Sequence, residues 1–220
     1  MSAAERSAVQ PDPQQWPDVV VLFDWNGTVV VDPDRARLAL NAVLEARDLP
    51  QLDERAFGAR FQLPLAVMLV GLGVAHGDVP NAEREWNAAM TSAPAVARAG
   101  ARELFDQLRA GGARIGIVSA ASAQAVGADL DRLGFARLFD SVDAGISDKP
   151  RTLRVHRPVR ERAYFVGDTV YDVRSALMAG FTPIGVRGGY TDPDELTAAG
   201  AVALVDDLRE LVGCIQLRRR

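Results

Sequence analysis

Val19-Val20-Val21-Leu22-Phe23-Asp24-Trp25-Asn26-Gly27-Thr28 joins a run of five apolar residues to a short polar turn, and Asp18 bounds the run on its other side. A continuous apolar run of this length, rich in β-branched residues, is the pattern of a strand buried on both faces. Similar runs follow at 114–118, 163–166, 182–186 and 201–205, with a weaker candidate at 138–142. Helical patterns separate them at 101–110, 122–133, 170–179, 193–199 and 206–212. Gly111, Gly134, Gly180 and Gly200 each follow one of these stretches, where a residue tolerant of positive φ closes the last turn. Alternation of strand and helix predicts an α/β fold with a doubly wound, mostly parallel, Rossmann-like sheet.

Residues 32–97 break that rhythm, because the stretch contains no convincing strand. Leu40, Val43 and Leu44 share one face of a first helix, Asp53 is placed to cap a second, and Asn81 to cap another carrying Trp86 and Met90. The expected organisation is a disordered tail over 1–17, a catalytic core from 18–31 and 98–220, and an inserted all-helical cap over 32–97.

Composition narrows the function classes. The chain has 220 residues, 48 % hydrophobic and 25 % charged, with mean hydropathy of zero, which describes an ordinary folded domain. A net charge of −4 and a pI near 5.3 argue against a nucleic-acid partner, and Arg218-Arg219-Arg220 reads as a solvated tail. The single cysteine, Cys214, forbids an internal disulfide, fits a reducing compartment and is expected in the core. The longest uncharged apolar run, 65–75, falls short of the roughly 20 residues a membrane span needs. The first 17 residues hold Pro11, Pro13 and Pro17 and no apolar stretch, so neither signal peptide nor anchor is expected and the location is read as cytoplasmic. Monomer and homodimer both stay open.

In open parallel sheets ligands bind beyond the carboxyl ends of the strands. Asp24-Trp25-Asn26-Gly27-Thr28 follows the first strand, Ser119 with Ala120 the second, and Gly167-Asp168 a later one, with Asp172 four residues on. Lys149 lies in the loop before that later strand and is the only lysine among 25 basic residues. These segments resemble the four motifs of the haloacid dehalogenase superfamily, in order and over nearly the whole chain from Val19. Within it the chain looks most like the phosphoglycolate-phosphatase-like hydrolases, many of which carry a helical cap where residues 32–97 fall.

The chemistry of the residues agrees with the resemblance. Transfer of a phosphoryl group needs an in-line nucleophile and positive charge over the equatorial oxygens. Asp24 is the expected nucleophile, forming an aspartyl-phosphate. Asp24, Asp168 and Asp172, with the Asn26 backbone carbonyl, offer hard oxygens suited to Mg²⁺. Gly27, Thr28, Ser119, Ala120 and Lys149 are expected around the phosphate of a small phosphorylated metabolite.

One position departs from the family. Phosphatases of the superfamily usually carry a second aspartate two residues after the nucleophile, to protonate the leaving group and activate water, and here that residue is Asn26. An amide exchanges no proton near neutral pH, and general acid–base help is typically worth about 10²–10⁴ in rate. Turnover is therefore expected to be slow, to favour good leaving groups, or to borrow another acid. The alternative is a phosphometabolite-binding or regulatory protein that turns over weakly or not at all. Asn26 argues against a mutase, the absence of a cap lysine against a phosphonate-cleaving relative, and the Asp168/Asp172 pair against a dehalogenase. There is no P-loop, Gly71, Gly73 and Gly77 do not fit a dinucleotide fingerprint, and His76 and His156 read as surface or packing residues.

Overall fold

The computed structural model describes residues 15–216. Most of the tail expected over 1–17, and Arg218 to Arg220, lie outside them. One residue of that tail does not fit the expectation: Trp16 is fully buried, and its backbone N–H donates to the Gly111 carbonyl at 2.7 Å. Gly111 has no side chain because the Trp16 ring occupies that space.

Six parallel strands form one sheet in the order β3-β2-β1-β4-β5-β6. They are β1 (Val19–Phe23), β2 (Arg114–Val118), β3 (Ser141–Asp143), β4 (Arg162–Gly167), β5 (Thr182–Val186) and β6 (Leu204–Val205). The all-apolar run is the central strand, flanked on both sides by parallel partners. Its side chains alternate between faces, as the pleat requires. Val19, Val21 and Phe23 join a core with Leu104, Phe105 and Leu108 of α5 (Ala101–Ala110) and Val126 of α6 (Ala123–Leu133). Val20 and Leu22 pack on the other side with Leu153 of α7 (Lys149–His156) and Ala176 of α8 (Val170–Ala179).

The late elements differ from expectation in detail. The third strand is Ser141–Asp143 rather than 138–142, because Leu138 turns inward to the core instead of pairing. The sixth is only Leu204–Val205, and the helix expected at 206–212 is a single tight turn over Leu208–Glu210 followed by Leu211–Gln216. Lys149, placed in a loop by its sequence context, is the first residue of α7. That helix buries only Lys149, Pro150 and Leu153, too few for periodicity to reveal it. Its start was nonetheless encoded: Asp148 accepts from the Arg151 N–H and Pro150 occupies the first turn. Cys214 is half-buried rather than a core residue.

Between β1 and α5 stand only helices: α1 (Pro33–Glu45), α2 (Glu54–Arg60), α3 (Leu65–Gly71) and α4 (Val79–Ser92). They bury a cluster of their own around Leu40, Leu44, Phe57, Met68 and Met90. Asp53 caps α2 by accepting from the Ala56 N–H at 2.7 Å. Asn81 caps nothing, because α4 already begins at Val79; its side chain donates to Asp78. The block is tied to the sheet layer by Arg35 of α1, whose guanidinium grips both oxygens of Asp129 on α6 at 2.8 and 3.0 Å and also donates to the Met90 carbonyl. Trp25 reaches the same carboxylate through its indole N–H at 3.2 Å.

Candidate active site

The carboxyl ends of β1 and β4 bring three aspartates together. Asp24 follows β1 directly and is held there by its own N–H, which donates to the Val166 carbonyl at 2.9 Å. Asp168 follows β4, and Asp172 sits in the first turn of α8. One oxygen from each lies within 4.8 Å of the others, and all three residues are buried. Lys149, 1 % exposed, places its ammonium 2.6 Å from Asp172 Oδ1 and 3.0 Å from Asp24 Oδ1. The first contact is an aligned hydrogen bond, whereas the second is a charge contact that leaves Asp24 Oδ1 without an aligned donor. Phe165 and Tyr171 flank the ammonium, each ring centroid 5.9 Å away.

Two of the acids, Asp172 and Asp168, are fixed by further bonds. Asp172 completes a capping box: its Oδ2 accepts from the Thr169 N–H at 3.1 Å and hydroxyl at 2.5 Å, and its own N–H donates back to that hydroxyl oxygen. Asp168 Oδ1 accepts from the Thr28 hydroxyl at 2.6 Å and Oδ2 from the Tyr190 N–H at 2.9 Å. Gly27, at φ +73°, packs so closely on Asp168 that a Cβ would overlap the carboxylate. Two sequence expectations therefore change. The Thr28 hydroxyl, expected to donate to phosphate, is already given to Asp168, and Gly27 makes room for that carboxylate rather than for a ligand.

Asn26 lines a cavity of about 380 Å³ that opens over Asp24, Ser119, Ala120 and Lys149. Its Nδ2 donates to Asp32, a buried carboxylate that also receives the Gly27 N–H at 2.8 Å and the Tyr190 hydroxyl at 3.0 Å. An ionised carboxylate only accepts, so the amide nitrogen must face it, and Oδ1 and the second amide N–H are what Asn26 has left for other partners. Ser119 is held by its backbone, N–H to the Asp143 carbonyl at 2.9 Å, and its Oγ accepts from the Ala121 N–H at 3.3 Å, which leaves the hydroxyl proton available.

Burial sets the electrostatics. It lifts Asp24 to about 6, with Asp172 adding to the rise and Lys149 opposing it. It lifts Asp32 to about 6 as well, against the hydrogen bonds from Asn26, Gly27 and Tyr190. Asp168 rises well above its ordinary value for the same reason, helped by its acidic neighbours. Burial alone would lower the Lys149 ammonium, but Asp172 and Asp24 outweigh it and the net shift is upward. Three acids against one ammonium make a site short of positive charge.

Three contributors were missed from sequence: Asp32, Tyr190 and Arg98. Tyr190 follows β5, so the strand-end rule applied to the other strands would have found it. The buried Arg98 guanidinium donates to the carbonyls of Gly27 at 2.5 Å, Thr28 at 2.7 Å and Arg187 at 2.9 Å, stitching the loop after β1 to the loop after β5. Nothing local in the sequence marks that role. His76 is exposed, and His156 meets Asp143 at 2.9 Å away from the cavity.

The chain belongs to the haloacid dehalogenase-like hydrolase family, whose pattern matches residues 21–186. It is 29 % identical over 211 residues to "Probable phosphatase IndB" of Dickeya dadantii, covering 88 % of this chain and 92 % of that one. A phosphoglycolate phosphatase of Synechococcus elongatus is 34 % identical over 128 residues, 55 % of this chain and 60 % of its own. Among solved structures, CbbY of Rhodobacter sphaeroides in complex with phosphate has a TM-score of 0.72 at 23 % identity, covering 87 % of this chain and 95 % of that one. A hydrolase of Pseudomonas syringae has a TM-score of 0.76 at 18 % identity, covering 92 % and 100 %. These two likenesses extend the fold over the helical block as well as the sheet. No described helix is long and apolar enough to cross a membrane.

Proposed function

We propose that the chain is a magnesium-dependent phosphatase of a small phosphorylated metabolite, with Asp24 as nucleophile and the block of residues 32–97 as its cap. The observation that carries this reading is the meeting of Asp24, Asp168, Asp172 and Lys149, of which Asp24 and Lys149 line the floor of one cavity. The family and its phosphatase relatives support it.

The residues fit a divalent cation. Their donors are hard carboxylate oxygens within 4.8 Å of one another, Asp24 Oδ1 lacks an aligned donor, and the raised acids call for positive charge. Asp24 and Asp168 would hold magnesium with the Asn26 backbone carbonyl. Asp172, its oxygens engaged by Lys149 and Thr169 as those of Asp168 are by Thr28 and the Tyr190 N–H, would join them as the third carboxylate. The bound ion supplies the charge that lets an anionic nucleophile meet an anionic ester.

The chain's own residues do the rest. Lys149 and the Ser119 hydroxyl hold the phosphoryl oxygens. The Asp24 carboxylate attacks phosphorus, its O–P bond forming as the ester O–P bond breaks, and the departing alkoxide takes a proton from water. A second water then attacks phosphorus, releasing Asp24 and orthophosphate. Asn26, turned by Asp32, offers Oδ1 as an acceptor to orient that water but no proton to give, so esters with good leaving groups turn over fastest.

Asp24→Asn tests the reading. It keeps size and removes the nucleophile, so magnesium-dependent release of phosphate from p-nitrophenyl phosphate should fall to background. Full retained activity refutes the assignment, while wild type that is stabilised by phosphate esters without releasing phosphate establishes the binding-protein alternative.

A further inference from the structure

The cavity has two chemically different ends. At its floor stand Asp24 and Lys149, and its far wall comes from the helical block. Apart from the Trp86 indole, the only polar side chains that block contributes are Glu83 and Asn87, one turn apart on α4. Glu83 is half-buried, and among the described residues its carboxylate makes no hydrogen bond or ion pair. Asn87 gives one N–H of its Nδ2 to the Glu83 backbone carbonyl at 2.8 Å, which leaves its Oδ1 as an acceptor and its second N–H as a donor. The Trp86 N–H points away, toward the Ala36 carbonyl at 3.4 Å. The one charged group the wall turns to a ligand is thus a carboxylate, with an amide oxygen beside it.

Aromatic faces complete it. Phe61 stacks on Tyr190 with ring centroids 4.0 Å apart and planes 16° off parallel, and Trp86 and Tyr171 line the same space. Among the described residues no arginine lines the cavity, and the chain's one lysine is at the floor. A ligand with a second anionic group would meet Glu83 with no cation to offset it. A ligand with an ammonium group would find a carboxylate, an amide oxygen and aromatic faces together, the combination that binds organic cations.

We infer that the substrate is a phosphate monoester of a small alcohol carrying an amine, its ammonium seated against Glu83 and the aromatic wall, and that carboxylate-bearing esters are rejected. This rests on the phosphatase reading of the floor and goes beyond it. Relatives bearing the name phosphoglycolate phosphatase act, by that name, on an ester whose tail has the opposite charge.

Three esters of matched size separate the possibilities: phosphoethanolamine, ethyl phosphate and phosphoglycolate, assayed with magnesium. Wild type should give kcat/KM in that order, with steps of about tenfold, the worth of one charge-assisted contact. Glu83→Gln should shrink the amine-to-ethyl ratio by about tenfold, and Glu83→Lys should put phosphoglycolate ahead. Because each ratio is taken within one protein, general losses of folding or rate cancel. Phosphoglycolate leading in wild type, or a ratio untouched by Glu83→Gln, overturns the inference. If no ester releases phosphate, p-nitrophenyl phosphate included, it is the phosphatase reading that fails. Thermal stabilisation of wild type and Glu83→Gln by the same three esters then decides this one, and equal or absent shifts overturn it.

Discussion

The floor and the far wall of the cavity are built on opposite principles. On the floor nearly every polar side chain is committed: Asp168 takes two donors, Asp172 caps α8 while gripping Lys149, and Thr28 is spent on Asp168. On the wall the surfaces are aromatic and apolar, and Glu83 has no partner among the described residues. A committed network fixes one arrangement of charge and suits a reaction common to many members of a family. An uncommitted wall is free to change with the substrate. The contrast teaches where to look for shared chemistry and where for this chain's own choice.

The sharpest way to break the contrast is to remove the one cation of the floor. Lys149→Ala leaves Asp24 and Asp172 buried with nothing to balance them, and breaking a buried pair from one side typically costs about 3–5 kcal/mol. Denaturant unfolding of the metal-free variant should show that loss, and phosphate release should vanish. Magnesium should recover part of the stability and none of the rate. A variant as stable as wild type would mean that the acids are satisfied without the ammonium.

The same contrast explains what the sequence disclosed. The central strand is legible because burial on both faces forces an unbroken apolar run. Asp24, Asp168 and Lys149 are legible because strand ends point where ligands bind, and because a lone lysine among arginines stands out. Arg98 and Asp32 are not, since their partners are backbone carbonyls and groups that only the tertiary fold brings near. Arg98 lies 70 residues from the Thr28 carbonyl it holds. Helix α7 was hidden by the floor itself, which makes Lys149 a buried charge in a helix with too few apolar residues to betray its period. Thr28 was found, but the acceptor its hydroxyl meets in the fold, Asp168, was not, because residue type says what a hydroxyl can donate and not which acceptor lies beside it.

Asn26 stands where floor and wall meet, and changing it is the next largest test. In Asn26→Asp a second carboxyl replaces the amide that now donates to Asp32. Two carboxyls in contact cannot both ionise, so one proton is shared between them near neutral pH. That supplies the acid the wild type lacks. Turnover of ethyl phosphate, a poor leaving group, should rise by about 10²-fold, while p-nitrophenyl phosphate, which needs little acid help, should gain far less. The cost is the lost amide bond, about 1 kcal/mol in unfolding. Equal gains on both esters would show that the amide limits something other than proton transfer.

The smallest effect is read from pH. Asp24 and Asp32 stand at about 6 in the fold against an ordinary 3.8, both raised chiefly by burial. An acid with a raised pKa holds its proton more tightly folded than unfolded, so protons favour the folded chain below that value and the benefit is lost as pH climbs from about 4 through 6. The metal-free protein should therefore lose stability across that window. Magnesium must displace the proton from Asp24 to bind, so its stabilisation should grow over the same range and level off above it. Melting temperatures taken with and without the ion from pH 5 to 8 should draw apart by a few degrees, on the scale of about 1 kcal/mol. Asp32→Asn should flatten the metal-free curve yet leave the gap, since Asp32 meets Asn26, Gly27 and Tyr190 rather than the three clustered acids. A gap that stays constant or narrows as the pH rises would mean the ion binds elsewhere. The committed floor would then be a network of folding rather than a seat for a cation.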